Sequence, residues 1–162
     1  MSLRSSSVPI AIAIVVLVAA VASLLVARPA EAQGDVHVFW PAASTTSKFL
    51  DFGREGLRLG DRLASRAPLL DASQGAQVGF GSQDCVVVRT ITDGPDGPGG
   101  MYRCAYLLRL DQGDLLVEGL DPHGPGVYVL AVLGGTEAFS RATGDATVTD
   151  TDQGTDFVIN LT

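Results

Sequence analysis

Two cysteines are the residues best equipped for chemistry, and they flank a link made almost entirely of Gly, Pro and Asp. Cys85 opens the run Cys85-Val86-Val87-Val88, and Cys104 follows Tyr102-Arg103. Asp93-Gly94-Pro95-Asp96-Gly97-Pro98-Gly99-Gly100 lies between them. Paired across a hairpin centred near Gly94-Pro95, the two are expected to form a disulfide if the chain is exported. In the chain-entropy model such a bond contributes about 3 kcal/mol. The competing reading is a free Cys85 thiol facing a cavity. His37 and His123 are far apart, with no second imidazole or thiolate at ligand spacing, so neither a metal site nor a cofactor is expected. Asp150, Asp152 and Asp156 alternate around Gly154 in the way that hard oxygen ligands alternate in calcium loops. A polar hairpin turn accounts for the same residues and is preferred. No Gly-Xaa-Ser-Xaa-Gly elbow occurs, and Ser82, Ser140 and the run from Ser44 to Ser47 lack a nearby base.

The elements that position these residues read as strands. Short β-branched runs recur at Val36–Trp40, Cys85–Ile91, Tyr102–Leu110, Leu115–Val117, Val127–Leu133, Ala146–Thr149 and Phe157–Leu161, with Gly and Pro between them. That spacing predicts an antiparallel sandwich or barrel. Arg54, Arg58, Arg62 and Arg66 recur at helical spacing, yet Gly53, Gly56 and Gly60 interrupt the window. Each glycine costs a helix about 1 kcal/mol. Alternation of Leu57 and Leu59 about Arg58 suits a strand, with the arginines on a solvated edge. Gly134-Gly135 ends the Tyr128–Leu133 run, where φ > 0 is tolerated without a Cβ. Thr136 follows it, and Gly144 opens the next run.

An uninterrupted apolar run from Val8 to Ala27 follows the basic Arg4, and Ala30-Glu31-Ala32 has the spacing that a signal peptidase reads. Residues 1–32 are expected to be a signal peptide cleaved near Ala32/Gln33, leaving 33–162 as one domain outside the cytoplasm. An uncleaved N-terminal membrane anchor is the alternative. The full sequence carries 18 Asp+Glu against 11 Lys+Arg. Such an acidic surface repels phosphate backbones and anionic headgroups, so neither nucleic acid nor a membrane is an expected partner of the mature domain.

From Gly60-Asp61 onward the chain resembles the allene oxide cyclase barrel superfamily, which includes the dirigent proteins. The matching pieces are Leu70-Asp71, Val78-Gly79, Cys85–Val88, Tyr102–Leu110, Gly113, Val117-Glu118-Gly119, Leu130–Thr136, Phe139 and Ala142-Thr143-Gly144. The resemblance implies an all-β fold, an eight-stranded antiparallel barrel preceded by an N-terminal signal helix. It also implies a hydrophobic small-molecule ligand in the interior and a homo-oligomer, often a trimer. The cyclases' first-strand carboxylate has no counterpart in Val36–Pro41, and their tyrosine position falls near Leu120-Asp121. The family match turns Cys85 inward, with Val87 and Arg89 on its face. Cys85, Val87, Arg89 and Tyr106 are therefore the candidate ligand contacts, while Gly134, Gly135, Thr136 and Gly144 are candidate structural positions. Arg89 would either pair with a ligand carboxylate or sit at the rim beside an aspartate. Two functions fit: a ligand-binding barrel that steers a cyclisation or coupling by holding one conformer, or a non-catalytic envelope domain with a side-chain-filled interior. A cavity of a few hundred Å³ with polar handles would favour the first.

Overall fold

The computed structural model describes residues 34–162 apart from 54–55, 73–74, 95–96 and 123. The expected signal segment and His123 lie outside the described residues. Nine strands follow one another: β1 (Val36–Pro41), β2 (Thr46–Leu50), β3 (Arg62–Asp71), β4 (Gln77–Gly94), β5 (Gly97–Leu110), β6 (Gly113–Asp121), β7 (Gly126–Gly135), β8 (Gly144–Thr151) and β9 (Gly154–Leu161). Every pairing is antiparallel and, from β3 to β9, runs between sequence neighbours.

Closure comes from the first stave. β1 pairs with β9 along its whole length and with β3 at Val38↔Asp71 and Phe39↔Leu70. β2 then continues along β3 from Thr46↔Arg66 to Leu50↔Arg62. Together β1 and β2 act as one stave, broken by a single 3-10 turn at Ala42–Ser44. The result is a closed eight-stranded antiparallel barrel.

Period-two alternation fills the middle of that barrel. Trp40, Leu69, Leu108, Leu115, Val117, Leu130, Phe157 and Ile159 are all buried there. A Cβ at Gly81 would run into the Trp40 ring, so the absence of a side chain on β4 is what admits the indole. The indole Nε1 donates to Thr45 Oγ1 at 2.7 Å, which satisfies the one polar group that a buried tryptophan brings.

Two sequence expectations need correction. The described residues of 51–53 and 56–61 form no strand, because Asp61 organises a loop: its buried carboxylate accepts from Arg58 N at 2.7 Å and Phe52 N at 3.1 Å, while Arg54 lies outside the described residues. Arg62 and Arg66 do lie on a strand, on the outer face of β3, where Arg62 pairs with Asp84 and Arg66 stacks over Phe80. The Gly/Pro-rich link is also shorter than its composition suggested. The β4–β5 ladder continues to Gly94↔Gly97, and Gly99 and Gly100 are strand residues. Asp61→Ala would leave two loop N–H groups without their acceptor, a loss of about 1–3 kcal/mol. Faster amide exchange at Phe52 and Arg58, with the barrel strands unchanged, is the expected readout.

Candidate functional site

One end of the barrel collects polar side chains in place of apolar ones. There β6 stops at Asp121, β7 starts before Tyr128, β8 stops just past Asp150 and β9 starts before Thr155. Each of these residues occupies the inward phase of its strand: Asp121 continues Leu115 and Val117, Tyr128 precedes Leu130 and Val132, and Asp150 continues Ala146 and Val148. β5 adds Tyr106 and β4 adds Gln83. A cavity of about 290 Å³ opens among Gln83, Tyr106, Asp121, Asp150, Asp152 and Thr155.

Hydrogen bonds tie the cluster together. Tyr106 Oη donates to Asp121 Oδ2 at 2.8 Å and accepts from Gln83 Nε2 at 2.9 Å. Tyr128 Oη lies 3.3 Å from Tyr106 Oη and donates to Asp150 Oδ2 at 3.0 Å. Thr155 Oγ1 donates to Asp150 Oδ1 at 2.6 Å. Trp40 and Phe157 hold the Tyr106 ring edge-on at 6.2 and 5.2 Å between centroids, which fixes where its hydroxyl points. Tyr106 is only 3 % exposed and Asp121 only 2 %, yet their polar atoms are matched.

Burial is the main reason why all three tyrosines of the chain resist ionisation. The Asp121 charge adds to the effect at Tyr102, Tyr106 and Tyr128, and the neighbouring phenol adds to it at Tyr128. Unfolding releases tyrosines that ionise near pH 10, so this stabilisation is fully present below that pH and is lost as pH rises beyond it. Alkaline absorbance titration should show Tyr106 and Tyr128 ionising only as the barrel unfolds, with Tyr102 ionising above its ordinary range. A tyrosinate signal in the folded protein near pH 10 would contradict this.

Of the candidate contacts, Cys85, Val87 and Tyr106 face the interior and are buried. Arg89 is exposed. A bulge interrupts the β4–β5 register between Val87 and Arg89, so the alternation that put Arg89 on the Cys85 face breaks before reaching it. It is therefore not an interior handle. Cys85 and Cys104 sit directly across the same ladder, Cα atoms 4.0 Å apart, joined as a disulfide. Their sulfurs cluster with the Asp121 carboxylate, but bonded to each other they offer no thiolate to a metal. The Asp150–Asp156 run is a hairpin whose acids diverge: Asp150 turns inward, while Asp156 on the outer face pairs with His37 at 2.9 Å.

Asp121, Tyr128, Asp150, Gln83 and Thr155 are the site residues that the sequence reading did not select. The signal was present, though, because a polar residue in phase with an apolar inward series ends β6 and β8 and opens β7 and β9.

Known structures share this architecture. The class they share is the closed antiparallel barrel. The chain is similar to pyocyanin demethylase, at 23% identity and a TM-score of 0.64 over 80% of this chain and 100% of that one. It is also similar to a nonspecific heme-binding cyclase that catalyses a [4 + 2] cycloaddition in neoabyssomicin biosynthesis, at 13% identity and a TM-score of 0.57, over 99% of this chain and 79% of that one. A third is the Diels-Alderase AbmU from Streptomyces koyangensis, at 12% identity and a TM-score of 0.59, over 89% of this chain and 73% of that one. At these identities the likeness establishes the fold alone. No family model and no curated protein matches.

Proposed function

We propose that this chain is a small-molecule-binding barrel that engages its ligand at the acidic, tyrosine-lined end, with Tyr106 and Asp121 as the principal polar contacts. The observation that carries the reading is a cavity of about 290 Å³ whose wall contains a buried, hydrogen-bonded tyrosine–aspartate pair. Pockets of that size, with a few placed polar groups, suit a small organic molecule. Three carboxylates line the cavity, and none of its described lining residues is basic. A ligand that carries positive charge or N–H and O–H donors fits such a wall, and a hydrophobic carboxylate does not. That reverses the ligand preference implied by an inward Arg89. The neighbours' cycloaddition and demethylation chemistry supports acting on a ligand as well as holding it. The finer likeness to allene oxide cyclase and dirigent barrels belongs to this proposal, as do cleavage near Ala32/Gln33, a mature domain of 33–162 and a homo-oligomer. The disulfide is compatible with an extracytoplasmic setting.

Trp40 is the chain's one tryptophan and touches Tyr106, so its fluorescence reports on the cavity. Titration should give saturable binding of a cationic N-heteroaromatic, weaker binding of its neutral isostere and none of the matching carboxylic acid. Tyr106→Phe should weaken the cation's affinity about 10-fold, the value of one hydrogen bond to a charged partner. Preference for the acid would overturn the ligand class. No saturable binding of any member would favour the envelope-domain reading, which the side-chain-filled middle of the barrel supports.

A further inference from the structure

Four side chains from four successive strands are joined end to end beside the cavity: Asp121 on β6, Tyr106 on β5, Tyr128 on β7 and Asp150 on β8, of which Asp121, Tyr106 and Asp150 line it. Three oxygen–oxygen links join them, at 2.8, 3.3 and 3.0 Å. Counting protons decides what this line can do. A phenol has one proton to give, a carboxylate has none, and a hydrogen bond needs one per link. With both carboxylates ionised, Tyr106 gives its proton to Asp121 and Tyr128 gives its own to Asp150. The middle link then faces two lone-pair-bearing oxygens across 3.3 Å with no proton between them. Gln83 does not change this count, because its amide donates to Tyr106 Oη from the side and leaves the phenol proton directed at Asp121.

One further proton completes the line. Placed on Asp150, it makes that carboxyl donate to Tyr128, Tyr128 donate to Tyr106, and Tyr106 donate to Asp121. Placed on Asp121, it reverses all three directions. We infer that Asp121, Tyr106, Tyr128 and Asp150 form a single acid–base unit that takes one proton from a ligand in the cavity and passes it between its two ends.

The step balances without any co-reactant. An acidic X–H group of the ligand keeps its bonding electron pair and gives up a proton to Asp150. That proton shifts on to Tyr128 as the Tyr128 proton shifts to Tyr106 and the Tyr106 proton shifts to Asp121, so both tyrosines stay neutral, Asp150 is ionised again and the unit goes from two negative charges to one. The reverse sequence returns a proton to the ligand at either carboxyl, since both ends line the same cavity. The first proton fills the open middle link and a second fills none within the line, so the two carboxyls take up protons as a coupled pair. β4 presents Gln83 and the non-titrating disulfide, β9 presents Thr155 and Phe157, and Tyr102 on β5 stays protonated through burial and the Asp121 and Asp61 charges. Asp152 at the cavity rim is the one further carboxylate among the described lining residues.

This inference rests on the proposed cavity reading only for the source of the proton, and its test uses the chain without ligand. The carboxyl carbons of Asp121 and Asp150 are followed by NMR through acid titration in aspartate-labelled protein. In the wild type, each carbon should report two steps, one for its own protonation and one for its partner's. In Tyr128→Phe, which removes the link and keeps the ring, each should collapse to one independent step. Single independent steps in the wild type would overturn the inference. So would two-step curves that persist unchanged in Tyr128→Phe, since they would arise from direct charge repulsion. If Tyr128→Phe does not fold, Tyr106→Phe breaks the same line one group earlier and is read in the same way. Ligand binding by Trp40 fluorescence is scored separately, so the relay can fail while the binding reading stands, and the reverse.

Discussion

Gly135→Val should yield little or no folded protein, whereas Gly134→Val should fold with a lowered melting temperature. The two glycines are adjacent, and the difference lies in what surrounds them. A Cβ on Gly135 would sit on the Asp114 carbonyl oxygen and come within 2.7 Å of Phe139 Cβ. The first contact is backbone of the paired strand β6, which cannot move without opening the ladder at Leu115↔Gly135. The second belongs to Phe139, which is 1 % exposed at the edge of the core. Neither neighbour has a flexible end to yield, so the loss should reach the rare range above about 4 kcal/mol. Gly134 meets nothing within 4 Å, but its φ is +135° at the bulge where Leu116↔Gly134 gives way to Val117↔Val132. A β-branched residue there is strained by about 1–3 kcal/mol while still having room. Thermal melts followed by circular dichroism, with soluble yield alongside, separate the two. A Gly135→Val protein that melts within a few degrees of wild type would contradict the steric argument.

The same pair shows where a sequence can and cannot be read. A Gly-Gly at the end of an apolar run announces a backbone need without saying which glycine meets which need. The strands at Val36, Tyr102, Val127, Ala146 and Phe157 were legible because β-branched and aromatic residues alternate there in a single phase. β3 was not, because its inward series is Ser65, Ala67 and Leu69, small residues with Pro68 among them. β2 was hidden too, since Thr46-Ser47-Lys48 lies on the barrel's closing stave with hardly any core to mark it. The start of β4 was missed for a steric reason, as Gly79 and Gly81 make room for the Arg109 backbone and the Trp40 ring.

The site was harder still. Its members come from separate strands, and only closure through β1–β3 and β1–β9 brings them around one cavity. Local reading placed Asp150 in a calcium-like run and Asp121 at a departure from a family tyrosine. Each is instead the last inward residue of its strand. Arg89 failed for the opposite reason: alternation was extended through a bulge that no local residue announces.

Reduction of the Cys85–Cys104 disulfide should be slow in the folded protein and should destabilise it strongly once forced. Exchange requires a thiolate to reach a sulfur along the bond axis, and Cys85 is 1 % exposed and Cys104 0 %. A reductant must wait for the β4–β5 ladder to open, so the measured rate should follow the opening rate and level off as reductant concentration rises. The Cys85→Ala/Cys104→Ala double variant removes the kinetic barrier and leaves the thermodynamic effect. It frees a loop with a sequence separation of 19, whose closure contributes about 3 kcal/mol in the unfolded-chain model. It also withdraws two sulfurs from a packed interior beside Gln83 and Asp121. Both effects act in the same direction, so a fall in melting temperature of about 10 °C or more is expected. Cys104 Sγ packs 3.6 Å from Asp121 Oδ2, so its loss leaves space beside the carboxylate that Tyr106 holds. Fluorescence of Trp40, across the Tyr106 ring, should therefore change in the double variant even well below its melting temperature. Mass measurement after timed exposure to reductant, alkylation and quench tests the kinetic half. Full reduction at a rate proportional to reductant, with the barrel intact by circular dichroism, would mean that the bond is reached from the cavity and not through unfolding.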